Sequence, residues 1–246
     1  MARYKLTLAY DGAAFHGSQR QARRRTVQGD LEKAARRLGW RGSSIVLAGR
    51  TDAGVHAVGQ VAAVDLEWAH GEASLRDAIN AALPAELVVT AVQTVADDFH
   101  PRFDAVSRRY LYEVRCAPLR HPIDDRLVWR VWPAVEPAAL DRAARLVLGT
   151  HDFGAFGTAA RKAGSTVRTV EASAWSIVGQ VLSYEIVANG FLYRMVRRLV
   201  FLQVAVGQGK CSEQALGEAL RTGRRVKALP AGTAPAHGLK LMEVKY

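Results

Sequence analysis

The sequence predicts an α/β chain of the α+β kind, built from two ferredoxin-like (RRM-like) units with mainly antiparallel sheets. Three observations predict it. Apolar residues alternate with polar ones in several short runs, the signature of strands with one buried face. Between these runs lie stretches with apolar residues at helical spacing. The same order of elements then recurs in the second half, which points to an internal duplication resting on element order alone, since the halves share negligible identity.

Tyr4, Leu6, Leu8 and Tyr10 alternate with polar or small neighbours and form a first strand, which Asp11-Gly12 ends. HGSQRQARRRT is a polar, basic loop. Thr26 caps a helix whose inward face is Val27, Leu31, Ala34, Ala35 and Leu38, and Gly39 stops it. A strand over 44–48, a second over Val58–Leu66, a helix capped by Ser74 and stopped at Pro84, and a strand over Leu87–Val95 complete the first unit. Pro101 in FHPRFD breaks the pattern, so the domains are 1–103 and 104–246. The second contains a strand over Arg109–Val114, a helix over Pro137–Leu148 and a hairpin pairing Val170–Ile177 with Val181–Ala188. A helix over Phe191–Val206, another capped by Ser212, and a closing strand over Gly238–Tyr246 follow.

The 246 residues carry 34 basic and 23 acidic side chains, a net charge of +11. A folded chain this basic points to a polyanionic partner, against the alternative of a merely solubilising surface. Cys116 and Cys211 are far apart and in no metal-binding spacing, which argues for a reduced compartment and against a zinc site. The start reads as a strand, not as a signal peptide, and the apolar stretch 191–206 is interrupted by Arg194, Arg197 and Arg198, too charged to span a bilayer. The expectation is a cytoplasmic protein with no membrane segment. No Walker loop and no GxGxxG opening a helix is present, so no nucleotide cofactor is indicated, and the histidines show no metal-ligand spacing.

Chemistry concentrates where the strand ending at Ala48 runs into Gly49-Arg50-Thr51-Asp52-Ala53-Gly54. Asp-x-Gly favours turns, so the hexapeptide alone fits a surface turn as well as an active site. Arg50 is either a solvated loop residue or a phosphate or base contact beside that acid. On a helical wheel, Arg197 falls with Tyr193, Val200, Phe201 and Val204 within about a quarter-turn, with Arg194 and Arg198 on a flank. An arginine inside an apolar face needs a partner, because an unpaired buried charge costs roughly 3–5 kcal/mol. It is a structural ion pair, a stem reaching water, or a clamp on a carboxylate. Tyr110, taken alone, is a core strand residue, but with arginines nearby it also fits a platform for an unpaired base. Arg20 with Arg23, Arg24 and Arg25, then Arg161 with Lys162, then Arg221, Arg224, Arg225 and Lys227, together read as a phosphate track.

GRTDAGVHAVGQV (49–61) resembles the signature of the TruA-type tRNA pseudouridine synthases. YDGAAFHGSQRQ, TVQGDLEKA, FHPRFDAVSRRYLYEV, HDFGAF, STVRT, NGFLYRMVR and APAHGLKL follow in that family's order, so the resemblance covers essentially the whole chain. It implies two α/β domains around a basic cleft, a homodimer binding tRNA, and cofactor-free, metal-free isomerisation of uridine to pseudouridine at tRNA positions 38 to 40. Residue by residue, it implies that Asp52 is the catalytic aspartate, Tyr110 the residue stacking on the target base and Arg197 the basic partner of the aspartate. Arg50 matches the arginine linked to base flipping, and Leu239 the aliphatic residue under the base. The family usually has Trp where this chain has Ser18, a departure bearing on loop packing or RNA contact.

Two other classes fit less well. A non-catalytic RNA binder of RRM type would carry an aromatic RNP1 octamer, and none is found. A metal-dependent nuclease would want paired acids, and the signature offers one.

Overall fold

The computed structural model describes residues 1–161 and 164–246. These divide into two compact units, Met1–Val106 with Lys240–Tyr246, and Ser107–Leu239. The chain is α+β with mainly antiparallel pairing, as the alternation predicts.

The first unit runs β1 (Ala2–Tyr10), α1 (Val27–Arg37), β2 (Val46–Leu47), β3 (His56–Leu66), α2 (Glu72–Ala82) and β4 (Leu87–Val95). β1 lies between β3 and β4 and is antiparallel to both, with Leu6 opposite Ala62 on one side and Val92 on the other. β2 pairs antiparallel with β3. The order β4-β1-β3-β2 is the split βαβ arrangement of ferredoxin-like folds. Tyr4, Leu6, Leu8 and Tyr10 are all buried, the alternate residues half-buried. Val27, Leu31, Ala34 and Ala35 of α1 and Leu75 and Ile79 of α2 complete the core. Thr26 caps α1, its hydroxyl accepting from the Gly29 N–H at 3.2 Å.

Three sequence expectations change here. The strand over 44–48 is a two-residue pair, because the backbone bends at Ala48-Gly49 to enter the signature loop. Ser74 does not cap α2; the helix starts at Glu72 behind Gly71, and the Glu72 carboxylate accepts from the Thr94 N–H at 2.6 Å. The C-terminal strand (Leu239–Lys245) belongs, from Lys240 onward, to the first unit. Lys240 and Leu241 pair parallel with His56 and Ala57, and the Val106 N–H donates to the Lys245 carbonyl.

The second unit contains β5 (Ser107–Cys116), β6 (Trp129–Val131), α3 (Pro137–Leu146), β7 (Gly149–Asp152), β8 (Val167–Val178), β9 (Val181–Ala188), α4 (Met195–Gly207) and α5 (Glu213–Thr222). β5, β9, β8 and β7 are neighbours in that order, each pair antiparallel, while β6 runs parallel beside β5. In β5-α3-β8-β9-α4 the middle strands pair as β5-β9-β8, the same local order as β1-β3-β2. Tyr112, Tyr184 and Ile186 of the sheet and Leu140, Leu199 and Leu202 of α3 and α4 are fully buried and form the core of this unit.

The helix expected from Phe191 starts instead at Met195. Tyr193 forms a backbone bridge to Thr158 in both directions, and Arg194 sits at φ 63°, a left-handed conformation that breaks the helical path. No helix among the described residues is long and apolar enough to cross a membrane.

Candidate active site

The signature loop is fastened almost residue by residue. The Gln60 side-chain amide donates to the Gly49 carbonyl at 3.0 Å. The Tyr10 hydroxyl lies 2.9 Å from the Thr51 hydroxyl. Ser18 grips the Thr51 backbone twice: its Oγ accepts from the Thr51 N–H at 2.8 Å, and its own N–H donates to the Thr51 carbonyl at 3.1 Å. Asp52 then opens a turn over Ala53-Gly54, closed by the Val55 N–H donating to the Asp52 carbonyl at 3.1 Å. Gly54 has φ +81°, which such a turn requires at its third position. The motif is therefore a backbone turn, with Asp52 half-buried and Arg50 exposed. Gly12 lets another backbone approach the loop's far end, since a Cβ there would meet the Val55 carbonyl at 2.1 Å. Burial holds the Tyr10 phenol above its usual pKa despite its bonds to Thr51 and Gln60, so it stays neutral and able to donate.

In the second unit, Tyr110 lies on β5, 8% exposed, its ring edge-on to Phe191 at 5.1 Å. Arg197 projects from the first turns of α4. Its Nε–H donates to the Ala234 carbonyl at 2.8 Å, and the Ala234 N–H returns a bond to the Arg197 carbonyl at 3.0 Å. The Tyr112 hydroxyl donates to the next carbonyl, Pro235, at 2.8 Å. A Cβ on Gly238 would meet the Tyr112 ring at 2.7 Å, so this chain segment lies flat on that ring. Leu239, buried at the end of the segment, is thereby located by Arg197 and by Tyr112, two residues along β5 from Tyr110. Burial raises the Tyr112 pKa, and the Arg197 charge opposes that rise.

Arg197 shares its helix face with Val200 and Val204, both buried, but is not itself fully buried. It is half-buried, whereas Arg198 is 8% exposed and donates to the Gly232 carbonyl at 2.7 Å. α4 packs against α3 and is buried on most of its circumference, so hydrophobicity around it does not distinguish one face from another.

The basic run is only partly open. Arg20 donates to Glu32 at 2.7 Å, and Arg25 bridges Asp30 at 2.8 Å and Glu86 at 2.9 Å. Arg23 and Arg24 are exposed, Arg24 lying 3.4 Å from His16 Nε2. A cavity of about 240 Å³ opens here, lined by Arg20, Gln21, Arg24, Arg25, Lys33 and Arg36 among others. Arg161 is exposed, and Lys162 lies outside the described residues. Among the described residues, no group of three or more His, Cys, Asp or Glu side chains could hold a metal ion.

A family model described as tRNA pseudouridine synthase matches residues 7–104 and 143–246. Relatives called tRNA pseudouridine synthase A extend the match to nearly the full length. One from Chloroflexus aurantiacus is 43% identical over 98% of this chain and 87% of its own. One from Paramagnetospirillum magneticum is 41% identical over 100% and 96%, and one from Geobacillus kaustophilus 39% over 99% and 94%. The chain belongs to the tRNA pseudouridine synthase family. In this family member the signature loop is a fixed turn on a ferredoxin-like sheet, and the fixing groups are ones that sequence reading missed. Tyr10 looks like an ordinary core strand residue, and Ser18 like one polar loop residue among many. Ser18 is in fact 0% exposed and bonded to the residue before Asp52, so its importance extends beyond loop packing or RNA contact. Their signal in the sequence is slight: a hydroxyl at the buried end of a strand, and a small residue after Gly17.

Proposed function

We infer that this chain is an enzyme that isomerises uridine to pseudouridine in tRNA. The observation that carries this reading is the family match over both units, with the signature aspartate on a turn held by hydrogen bonds at Gly49, Thr51 and Val55. The reaction breaks the N1–C1′ bond, turns the uracil and joins C5 to C1′; C5 loses a proton and N1 gains one. Asp52 is the group that acts on the ribose. It either attacks C1′ as a nucleophile or removes a ribose proton to give a glycal. Arg197 is the basic residue of the site, with Nε held by Ala234 so that the plane of the guanidinium is set. Tyr110 and Leu239 contact the two faces of the freed uracil, so that it rotates without escaping, and they exclude the water that would leave an abasic site. Arg50, exposed beside Asp52, fills the gap left by the flipped nucleotide, whose unstacking costs a few kcal/mol.

The target is the anticodon stem-loop, at positions 38 to 40. The enzyme works as a homodimer in the cytoplasm, without metal or cofactor, and Arg23, Arg24 and Arg161 contact RNA phosphates. Incubating the chain with tRNA tritiated at uridine C5 tests the reaction: tritium should appear in water, and pseudouridine mapping should place the product at 38 to 40. Retained tritium would refute the isomerase reading, and product elsewhere the positional one. Light scattering of the purified protein should give twice the 26.8 kDa chain mass; a monomer mass with full activity would refute the dimer.

A further inference from the structure

We propose that Ser18, with Tyr10, is a positioning residue for Asp52, acting through Thr51. This rests on Asp52 being the catalytic carboxylate. Ser18 is fully buried and holds both backbone groups of Thr51, donor and acceptor, at 2.8 and 3.1 Å. Tyr10 holds the Thr51 side chain at 2.9 Å, and Gln60, which lies 3.4 Å from the Tyr10 hydroxyl, holds Gly49 at 3.0 Å. All four residues of this set, Tyr10, Ser18, Thr51 and Gln60, are buried. The peptide before Asp52 is thus fixed on both sides, and its orientation determines where the carboxylate points. Gly17, at φ +91°, brings the Ser18 amide into range; a Cβ there would meet the Thr51 carbonyl at 3.0 Å. Arg50 leaves the same loop between Gly49 and Thr51, so one network sets the direction of both side chains.

A core role would be met by a stable fold alone. A positioning role needs Asp52 within a few tenths of an ångström, and a displacement near 1 Å costs about 100-fold in rate. The test uses the full chain with C5-tritiated tRNA in single turnover at saturating enzyme, beside tRNA affinity by filter binding. In Ser18→Ala and Tyr10→Phe the single-turnover rate should fall about 10- to 100-fold, while Kd changes less than about two-fold and the circular dichroism spectrum stays native. Thr51→Val, which removes only the hydroxyl, should slow the step, and Thr51→Ser should restore it. Asp52→Asn is run alongside. If it is inactive while folded Tyr10→Phe and Thr51→Val turn over at the wild-type rate, the positioning role is overturned and the catalytic reading stands. If Ser18→Ala does not fold, those two variants decide alone. If Asp52→Asn itself turns over normally, the catalytic reading fails, and this inference falls with it.

Discussion

Glu32 offers a stringent test of how the first unit is held together. It is 1% exposed on α1 and accepts from three donors: Arg20 Nη1 at 2.7 Å, the Gln28 amide at 3.0 Å and the Ile45 N–H at 3.0 Å. Truncation to Ala strands them unequally. Ile45 is buried, so its N–H loses its acceptor without access to water, at about 1–3 kcal/mol. Gln28 keeps its bond to Ser44 Oγ at 2.8 Å and loses one bond, about 1 kcal/mol. Arg20 is 47% exposed and re-solvates, for about 0–1 kcal/mol. The sum is about 3 kcal/mol, or roughly 6–12 °C in melting temperature for a chain of this size. Glu32→Gln keeps an acceptor and should lose about half as much. Urea denaturation followed by circular dichroism measures both. A loss below about 1 kcal/mol for Glu32→Ala would refute the assignment of this glutamate as the anchor of the strand that leads into the signature loop.

Alkaline stability follows from the buried tyrosines. Burial raises the pKa of Tyr10, Tyr112 and Tyr184, the last pushed up to about 12, so the folded state stays protonated where the unfolded chain ionises near 10. Their contribution is complete below pH 10 and is lost as pH rises above it, with a limiting slope of about 1.4 kcal/mol per pH unit for each tyrosine; denaturation midpoints unchanged between pH 9 and 11 would contradict this. The open and engaged arginines should separate in RNA binding. Arg24→Ala should lower the salt slope of tRNA affinity by about 0.7–0.9, and Arg25→Ala, whose guanidinium is engaged with Asp30 and Glu86, should leave it nearly unchanged; the reverse order would show that the ion pairs open on binding. Gly12→Ala should destabilise the chain markedly, because its Cβ would overlap the Val55 backbone; a neutral effect in a thermal melt would show that the two segments are not packed as described.

Much of the fold was legible because its strands and helices have one buried side. β1, β9 and α1 can be read almost to the residue, since Tyr4 to Tyr10, Leu182 to Ala188 and Val27 to Ala35 keep strict periods. The failures share a cause, long-range contact overriding local pattern. Phe191–Arg194 continues an apolar run but is captured by Thr158 across the unit. The closing strand continues the second half in sequence yet pairs with β3. Of the proposed site, Asp52 stands out within the signature loop, while its role and those of Arg50, Tyr110, Arg197 and Leu239 come from the resemblance. The wheel singled out Arg197, yet Arg198 is the more buried, because α4 is covered nearly all round. The Ser18–Thr51–Tyr10 network was not legible, since serine and tyrosine hydroxyls have no spacing that announces a partner 33 or 41 residues away.

The most direct measurement is tritium release by Asp52→Asn in a single turnover, with tRNA binding measured on the same preparation. A carboxylate that acts on the ribose predicts release reduced to background with tRNA affinity within about two-fold of wild type. Release at the wild-type rate would mean that another group carries the chemistry and that the signature turn is only a turn.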